Sequence, residues 1–406
     1  PPARRAMNDL AAAIRGPVRP ALHGGGQVLL GLAVILLFWE LAARWLAGAF
    51  ILAAPSEVAG YLVENRALMA RALEVTLANA AAGFVAGNLA AVALAALALV
   101  WPRAEGAIAG LALLVFCLPL VATGPILRVF FGPGPGPQIT LAALAVYYTT
   151  LIPLLVGLRA APASWFDLVR SYGRGRVAEL VHVRAMASLP YLFAGLQIAA
   201  PAAFLGAMVG EFTGAERGMG VLTIRAMRAL DVEATWALAT IAAAVSVLAY
   251  AAVGWLARRM LRDKPPVILA PPRAPVSGRT ARGWRMLGRI ALVAGLALAL
   301  WWGIMEAFGL NPFFAKRPGD VWAALVTAPD AAETRATLVA ALGQTAVYVG
   351  PGYLAGLALG AGLAILLVLV PALAAVAMPL GVALRSVPIV TTAPLVVLLL
   401  GRGAAG

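Results

Sequence analysis

Apolar runs of about 20 residues, the length a membrane helix needs, recur along the chain between short polar stretches. They fall near residues 28–47, 77–101, 107–131, 139–159, 192–212 and 236–257, and again near 287–306, 342–369 and 372–400. The pattern predicts an all-α polytopic membrane protein with about nine transmembrane helices. Pro119 and Pro125, with Thr123 between them, interrupt the third run. A proline removes a helical hydrogen bond, so that span is expected to break or bend. Freed backbone groups at membrane depth are tolerated where protein or a water-filled cavity meets them, which makes Pro119, Thr123 and Pro125 candidates for lining a translocation pathway.

Composition agrees with the pattern. Of the 406 residues 63% are hydrophobic and 12% are charged, against about 25% charged in soluble domains. A formal charge of +14 would suit a nucleic-acid partner, but the basic residues lie between the apolar runs and no stacking aromatics interleave with them. The lipid bilayer, not nucleic acid, is the expected partner. With a cytoplasmic N-terminus, the cytoplasmic connections receive Arg4 to Arg19, then Arg103, residues 159–190 and the Arg/Pro-rich stretch after 257. This follows the excess of basic residues on the inner side of membranes. No cleavable signal peptide is visible. Cys117 is the single cysteine, which excludes an internal disulfide or thiolate cluster, and His23 and His182 lack partners at ligand spacing, so no metal is expected. The stretch FGPGPGPQ at 131–138 has no Lys and no preceding strand and reads as a stiff loop, not a phosphate cradle.

A repeat organises the chain. Pro119, Thr123, Pro125 and Gly132 match Pro388, Thr392, Pro394 and Gly401 at a separation of 269. Thr76, Gly83 and Gly87 match Thr345, Gly352 and Gly356 at the same separation, while Pro55 and Val58 match Pro318 and Val321 at 263, and Trp39 matches Trp302. Six spans separate equivalent points, so the copies run parallel, unlike the inverted repeats of many secondary transporters. The expected organisation is a cytoplasmic segment 1–27, a six-span unit 28–260, a linker 261–286 and a second unit 287–406 that stops after its third span. Because residue 1 is Pro and Gly406 follows an apolar run, the sequence is expected to be a piece of a longer chain.

One charged island stands out, DLVRSYGRGRVAELVHVRAMASLP at 167–190. Two short helices are expected there, the first capped by Ser164 with Asp167 at its third position and the second following the turn at Gly173 and Gly175. Val177, Leu180, Val181 and Val183 or Arg184 keep helical spacing, leaving Arg176, Glu179 and His182 on wetter positions. An amphipathic island of this kind suits a docking surface.

These residues resemble the cytoplasmic loop of bacterial ABC importer permeases. Asp167-Leu168-Val169 stands where that family has E-A-A, Gly173 has the expected spacing and Val183 the aliphatic position, while Ala185-Met186 replaces the usual Leu-Pro. The stretch LPYLFAGLQIA at 189–199, Pro55 to Val58, and Glu211, Phe212, Gly218 and Gly220 resemble the branch that handles nitrate, sulfonates and taurine. The resemblance implies two fused permease units in the bacterial inner membrane. They would work with a cytoplasmic ATPase dimer, which would carry the ATP and magnesium, and with an extracytoplasmic solute-binding protein. No G-x-x-x-x-G-K-[ST] occurs in the chain, so hydrolysis is assigned to the partner and no cofactor to this chain. The coupling loop implied is Asp167, Arg170, Gly173, Arg176, Glu179, His182 and Val183. The candidate pathway residues are Pro119, Thr123, Pro125, Glu211, Pro388, Thr392 and Pro394. The rival expectation is an ion-coupled secondary transporter, for which Glu211 is the candidate ionisable group.

Overall fold

The computed structural model describes residues 24–46, 52–261, 279–309 and 316–370, with a few isolated positions besides. The linker 262–278, the last expected span and Pro388, Thr392 and Pro394 lie outside the described residues, as does the N-terminal segment 1–23. The described chain is all-α, with no strand among its elements. In order these are α1 (Gly24–Trp45), α2 (Pro55–Glu64), α3 (Arg66–Val100), α4 (Glu105–Phe116), α5 (Leu120–Phe131), α6 (Gly136–Gly157), α7 (Ala163–Ser171), α8 (Arg176–Phe212), α9 (Met219–Ala229), α10 (Val232–Met260), α11 (Arg279–Ala307), α12 (Pro318–Trp322) and α13 (Ala331–Leu369). Six helices among the described residues are long and apolar enough to cross a membrane, or seven if α4 and α5 form one broken span.

The core is a sandwich with α6 in the middle. Glycines of α3 and α8 press on it from either side: a Cβ at Gly83 would lie 2.3 Å from the Ala142 Cβ, one at Gly87 2.6 Å from the Ala143 carbonyl, one at Gly206 2.8 Å from the Ala142 Cα, and one at Gly210 2.6 Å from the Gln138 Cα. Small residues let apolar helices approach until backbones touch, which is how membrane helices gain dispersion contact without a hydrophobic driving force. Phe204, Met208 and Leu238 fill the remaining space. A polar pair crosses the sandwich, where Thr150 donates to the Asn88 carboxamide oxygen at 2.7 Å.

The third expected span, 107–131, is two helices bent by 93°. Cys117, Leu118 and Pro119 form the break, and Pro119 starts α5 in extended backbone. Contacts at its two ends place them near opposite ends of α6. Glu105 at the start of α4 pairs with Arg159 just beyond the end of α6, while Phe131 at the end of α5 packs on Gly136 at the start of α6. The 22 residues of α6 separate those points by about 33 Å at 1.5 Å per residue.

Two local expectations are corrected. α7 begins at Ala163 with Pro162 as N-cap, so Ser164 is not the cap and no side chain caps the helix; the proline ring fixes the entry angle instead. The second short helix is not separate either. Residues from Arg176 run through a π-helical turn at Glu179–Arg184 straight into the fifth span.

Local geometry recurs between the two halves. Glu57 closes back on the Ala54 N–H at 2.7 Å at the start of α2, and Asp320 does the same to the Arg317 N–H at 2.8 Å at the start of α12. Trp39 donates its indole N–H to the Ala53 carbonyl at 3.0 Å, and Trp301, the neighbour of Trp302, donates to the Lys316 carbonyl at 3.1 Å. Thr76 and Thr345 both donate to the carbonyl four residues back. The halves differ in packing. Gly352 and Gly356 have nothing within 4 Å, because no described helix lies on that face of α13.

Candidate functional site

Two constellations sit at opposite ends of the α3/α6/α8 sandwich. At one end is the charged loop. α7 is short and amphipathic, with no buried residue, and Leu168, Tyr172 and Val177 are 57%, 77% and 76% exposed. Gly173 ends the helix at φ +68 with nothing within 4 Å of a built Cβ, the left-handed conformation that glycine adopts at least cost. Arg170 reaches across the turn to Glu179 at 2.7 Å and lies 3.9 Å from Asp167. The hydrogen bond to Glu179, and then its charge, raise the affinity of the Arg170 guanidinium for its proton. Arg176 opens α8 on an exposed position, His182 Nδ1 lies 3.2 Å from the Ala178 carbonyl, and Val183 is buried.

Sequence reasoning passed over the two residues that fasten this loop to the spans. Arg184 donates to the Leu158 carbonyl at the end of α6 at 3.0 Å, and its guanidinium lies 4.9 Å from the ring centre of Phe166 on α7. A cation over an aromatic face is attractive, by about 0.5–1 kcal/mol at an exposed site. The pair ties α7, α6 and the π-helical turn together. A π turn inside a helix often marks a functional position.

At the other end is Glu211, 1% exposed. The N-cap of α9 is Gly218, which has no side chain to cap it, so its first N–H groups need acceptors from elsewhere. Glu211 of α8 accepts the Gly220 N–H at 2.7 Å, and Thr76 of α3 accepts the Met219 N–H at 2.8 Å while donating to Glu211 Oε1 at 2.8 Å. A carboxylate at a helix N-terminus also meets the positive end of the helix dipole. Gly218, at φ +129, passes so close that a Cβ would lie 2.2 Å from the Glu211 carboxyl carbon. The spacing of Glu211, Gly218 and Gly220 thus has a physical cause: one carboxylate caps one helix from outside, and two glycines admit it. Thr76 was visible only as a member of the repeat.

The broken span lies beside this cap. Thr123 donates back to the Leu120 and Pro119 carbonyls of the first turn at 3.0 and 3.1 Å, and Gly124 packs on Thr213 just after Glu211. Pro125 is exposed inside α5. Pro119, Thr123 and Pro125 are therefore on the element adjoining Glu211. Among the described residues no group of three or more His, Cys, Asp or Glu side chains is placed to hold a metal.

A stack of apolar helices broken once by prolines, with an amphipathic loop standing off one membrane face, defines a multi-span transport permease. The comparisons agree. Residues 83–262 match the family described as binding-protein-dependent transport system inner membrane component. A probable ABC transporter permease protein of Haemophilus influenzae is 31% identical over 238 residues, 57% of this chain and 96% of the relative. The formylaminopyrimidine transport permease protein ThiX of Halalkalibacterium halodurans is 24% identical over 221 residues, 54% of this chain and 88% of the relative. The riboflavin transport system permease protein RibX of Chloroflexus aurantiacus is 30% identical over 236 residues, 57% and 87% of the respective chains. The chain belongs to this family of ABC importer permeases, and it is a multi-pass inner-membrane protein. Membership implies an ATPase and a solute-binding protein as partners in general.

Proposed function

We propose that this chain forms the membrane path of an ATP-driven importer that brings a small solute into the cytoplasm, with energy entering through residues 164–190. The observation that carries the reading is the loop itself: three large side chains, Leu168 on α7, Tyr172 at its end and Val177 at the start of α8, exposed together, held off the spans by Arg170–Glu179 and anchored by Arg184. Exposed apolar groups rimmed by charge mark interaction sites. The partner on that face is a separate ATPase dimer carrying ATP and magnesium, and an extracytoplasmic solute-binding protein meets the opposite face. The N-terminus is cytoplasmic. Asp167, Arg170, Gly173, Arg176, Glu179, His182 and Val183 shape the coupling surface, and Pro119, Thr123, Pro125 and Glu211 flank the path. The recurring caps at Ala54 and Arg317 and the paired tryptophan bonds support two fused permease units, 28–260 and 287–406.

The substrate is a small anionic or pyrimidine-like solute; the name of the ThiX relative supports the second class, and the resemblance of residues 189–199 to sulfonate and nitrate permeases the first. Glu211 is engaged by the Thr76 hydroxyl and the Gly220 N–H as a helix cap, which favours ATP-driven transport over a cycle in which that carboxylate carries a proton.

The coupling role is tested at Gly173. Gly173→Ala has space for its methyl group but forces a left-handed backbone, at a cost of about 1 kcal/mol or more. ATP-dependent uptake into vesicles holding the complete transporter should fall severalfold while the amount of protein in the membrane stays constant. Uptake at the original rate, or uptake indifferent to ATP, would remove the coupling role.

A further inference from the structure

At the loop end of the sandwich, α3, α4, α6 and the start of α8 enclose a pocket of about 210 Å³. Its walls are of two kinds. Leu99, Leu155 and Leu158 make an apolar side, and Glu105, Arg159 and Arg184 make a charged rim. The position is set by topology: the pocket lies where three long apolar helices end and the charged loop begins, at the depth of a membrane interface. Exposed Trp101 stands next to Pro102 of the pocket wall, and tryptophan is enriched at that depth.

The charges do not cancel. Glu105 pairs with Arg159, which leaves Arg184 uncompensated by any carboxylate among the described ion pairs, and Arg103 follows Pro102 as a further exposed cation. An arginine has five N–H donors. Arg184 commits one to the Leu158 carbonyl, and about half of the Arg159 side chain is open to its surroundings. A half-apolar, half-cationic pocket at an interface is complementary to a ligand that is itself half chain and half anion.

We propose that this pocket seats an anionic phospholipid, its phosphate at Arg159 and Arg184 and the first part of an acyl chain along Leu99 and Leu155. Basic pockets between spans on the cytoplasmic side suit acidic headgroups. Because Arg184 also fastens the loop through Leu158 and Phe166, an occupied pocket would stiffen the joint between loop and spans. The binding site requires only that this end of the sandwich lie at a membrane interface; the effect on the joint rests on the coupling role proposed above, and the binding experiment does not depend on it.

Trp101 reports on the site. The full chain is reconstituted in phosphatidylcholine vesicles containing a minor fraction of brominated phosphatidylglycerol or of brominated phosphatidylcholine. The quenching lost on Trp101→Phe isolates the local signal. The affinity read from the lipid fraction at half-maximal quenching should be higher for phosphatidylglycerol than for phosphatidylcholine by about fivefold for each arginine engaged, the factor a basic side chain supplies near an anionic surface. Arg159→Gln with Arg184→Gln should bring the two lipids to parity. Glu105→Gln, which releases Arg159 without removing a cation, should strengthen the preference and keeps the test open if the double variant does not fold. Equal quenching by both lipids in the original chain overturns the proposal. Inorganic phosphate that abolished the preference at millimolar concentration would reassign the pocket to a soluble phosphate and overturn the lipid. A lipid preference accompanied by ATP-independent uptake would leave the pocket standing and remove the proposed function instead.

Discussion

Glu211 shows how a side chain that sequence alone marks as a candidate pathway residue gains a structural role as well in three dimensions. Seen linearly, it is a carboxylate at the end of an apolar run. Seen in place, it caps a helix that begins at glycine, helped by a threonine 135 positions earlier. That separation is why sequence reasoning could find the carboxylate and the two glycines but not Thr76 as their partner. Thr76→Val keeps the shape and removes the hydroxyl, so the Met219 N–H stays buried without an acceptor, a loss of about 1–3 kcal/mol. The thermal midpoint of the detergent-solubilised protein should fall by several degrees at a fixed scan rate, and Thr76→Ser should restore it. Gly214 and Gly218 supply a finer comparison. Both have positive φ, +109 and +129, but only Gly218 faces the carboxylate. Alanine at either position strains the backbone by about 1–3 kcal/mol; Gly218→Ala must in addition displace Glu211, so its midpoint should lie clearly below that of Gly214→Ala. Equal midpoints would mean that the carboxylate moves aside freely.

Among the elements, the broken third span is the one whose character was legible early, because Pro119 and Pro125 cannot sit in an uninterrupted helix. What the residues did not carry is the angle: a proline kink and a 93° turn have the same local sequence, and only packing against Thr213 and α6 separates them. The loop helices were legible as amphipathic but not in their joints, since the continuity from Arg176 into the fifth span depends on a π turn that no composition signals. Cys117 lies at the break and is exposed. If the break lines an aqueous path, as proposed for Pro119, Thr123 and Pro125, a membrane-impermeant maleimide should label Cys117, and the labelling rate should change when the complete transporter turns over ATP. A cysteine that reacts only with lipid-soluble maleimide would place the break against the bilayer.

At the scale of the whole molecule, the reading of sidedness depends on how many times the chain crosses before the linker. Apolar lengths in the sequence counted six, treating residues 107–131 as one span. A sharply bent pair could equally dip into one face and return, which would make the count five and put the N-terminus and the linker on opposite sides. The contacts favour a crossing pair. Glu105 is held at the Arg159 end of α6 and Phe131 at the Gly136 end, and a re-entrant pair would bring both to the same end. The second half offers no such check, because α13 meets no described helix along its glycine face, so its crossing is read from length and hydropathy alone. Alkaline phosphatase, which folds only outside the cytoplasm, reads the difference when fused in turn after Arg103, Gly134 and Ala161. A crossing pair with a cytoplasmic N-terminus requires activity after Gly134 and none after Arg103 or Ala161. Inactivity after Arg103 and Gly134 with activity after Ala161 would make the pair re-entrant despite its contacts. Activity at Arg103 and Ala161 with none at Gly134 would keep the crossing but invert the molecule, turning residues 164–190 away from any cytoplasmic ATPase.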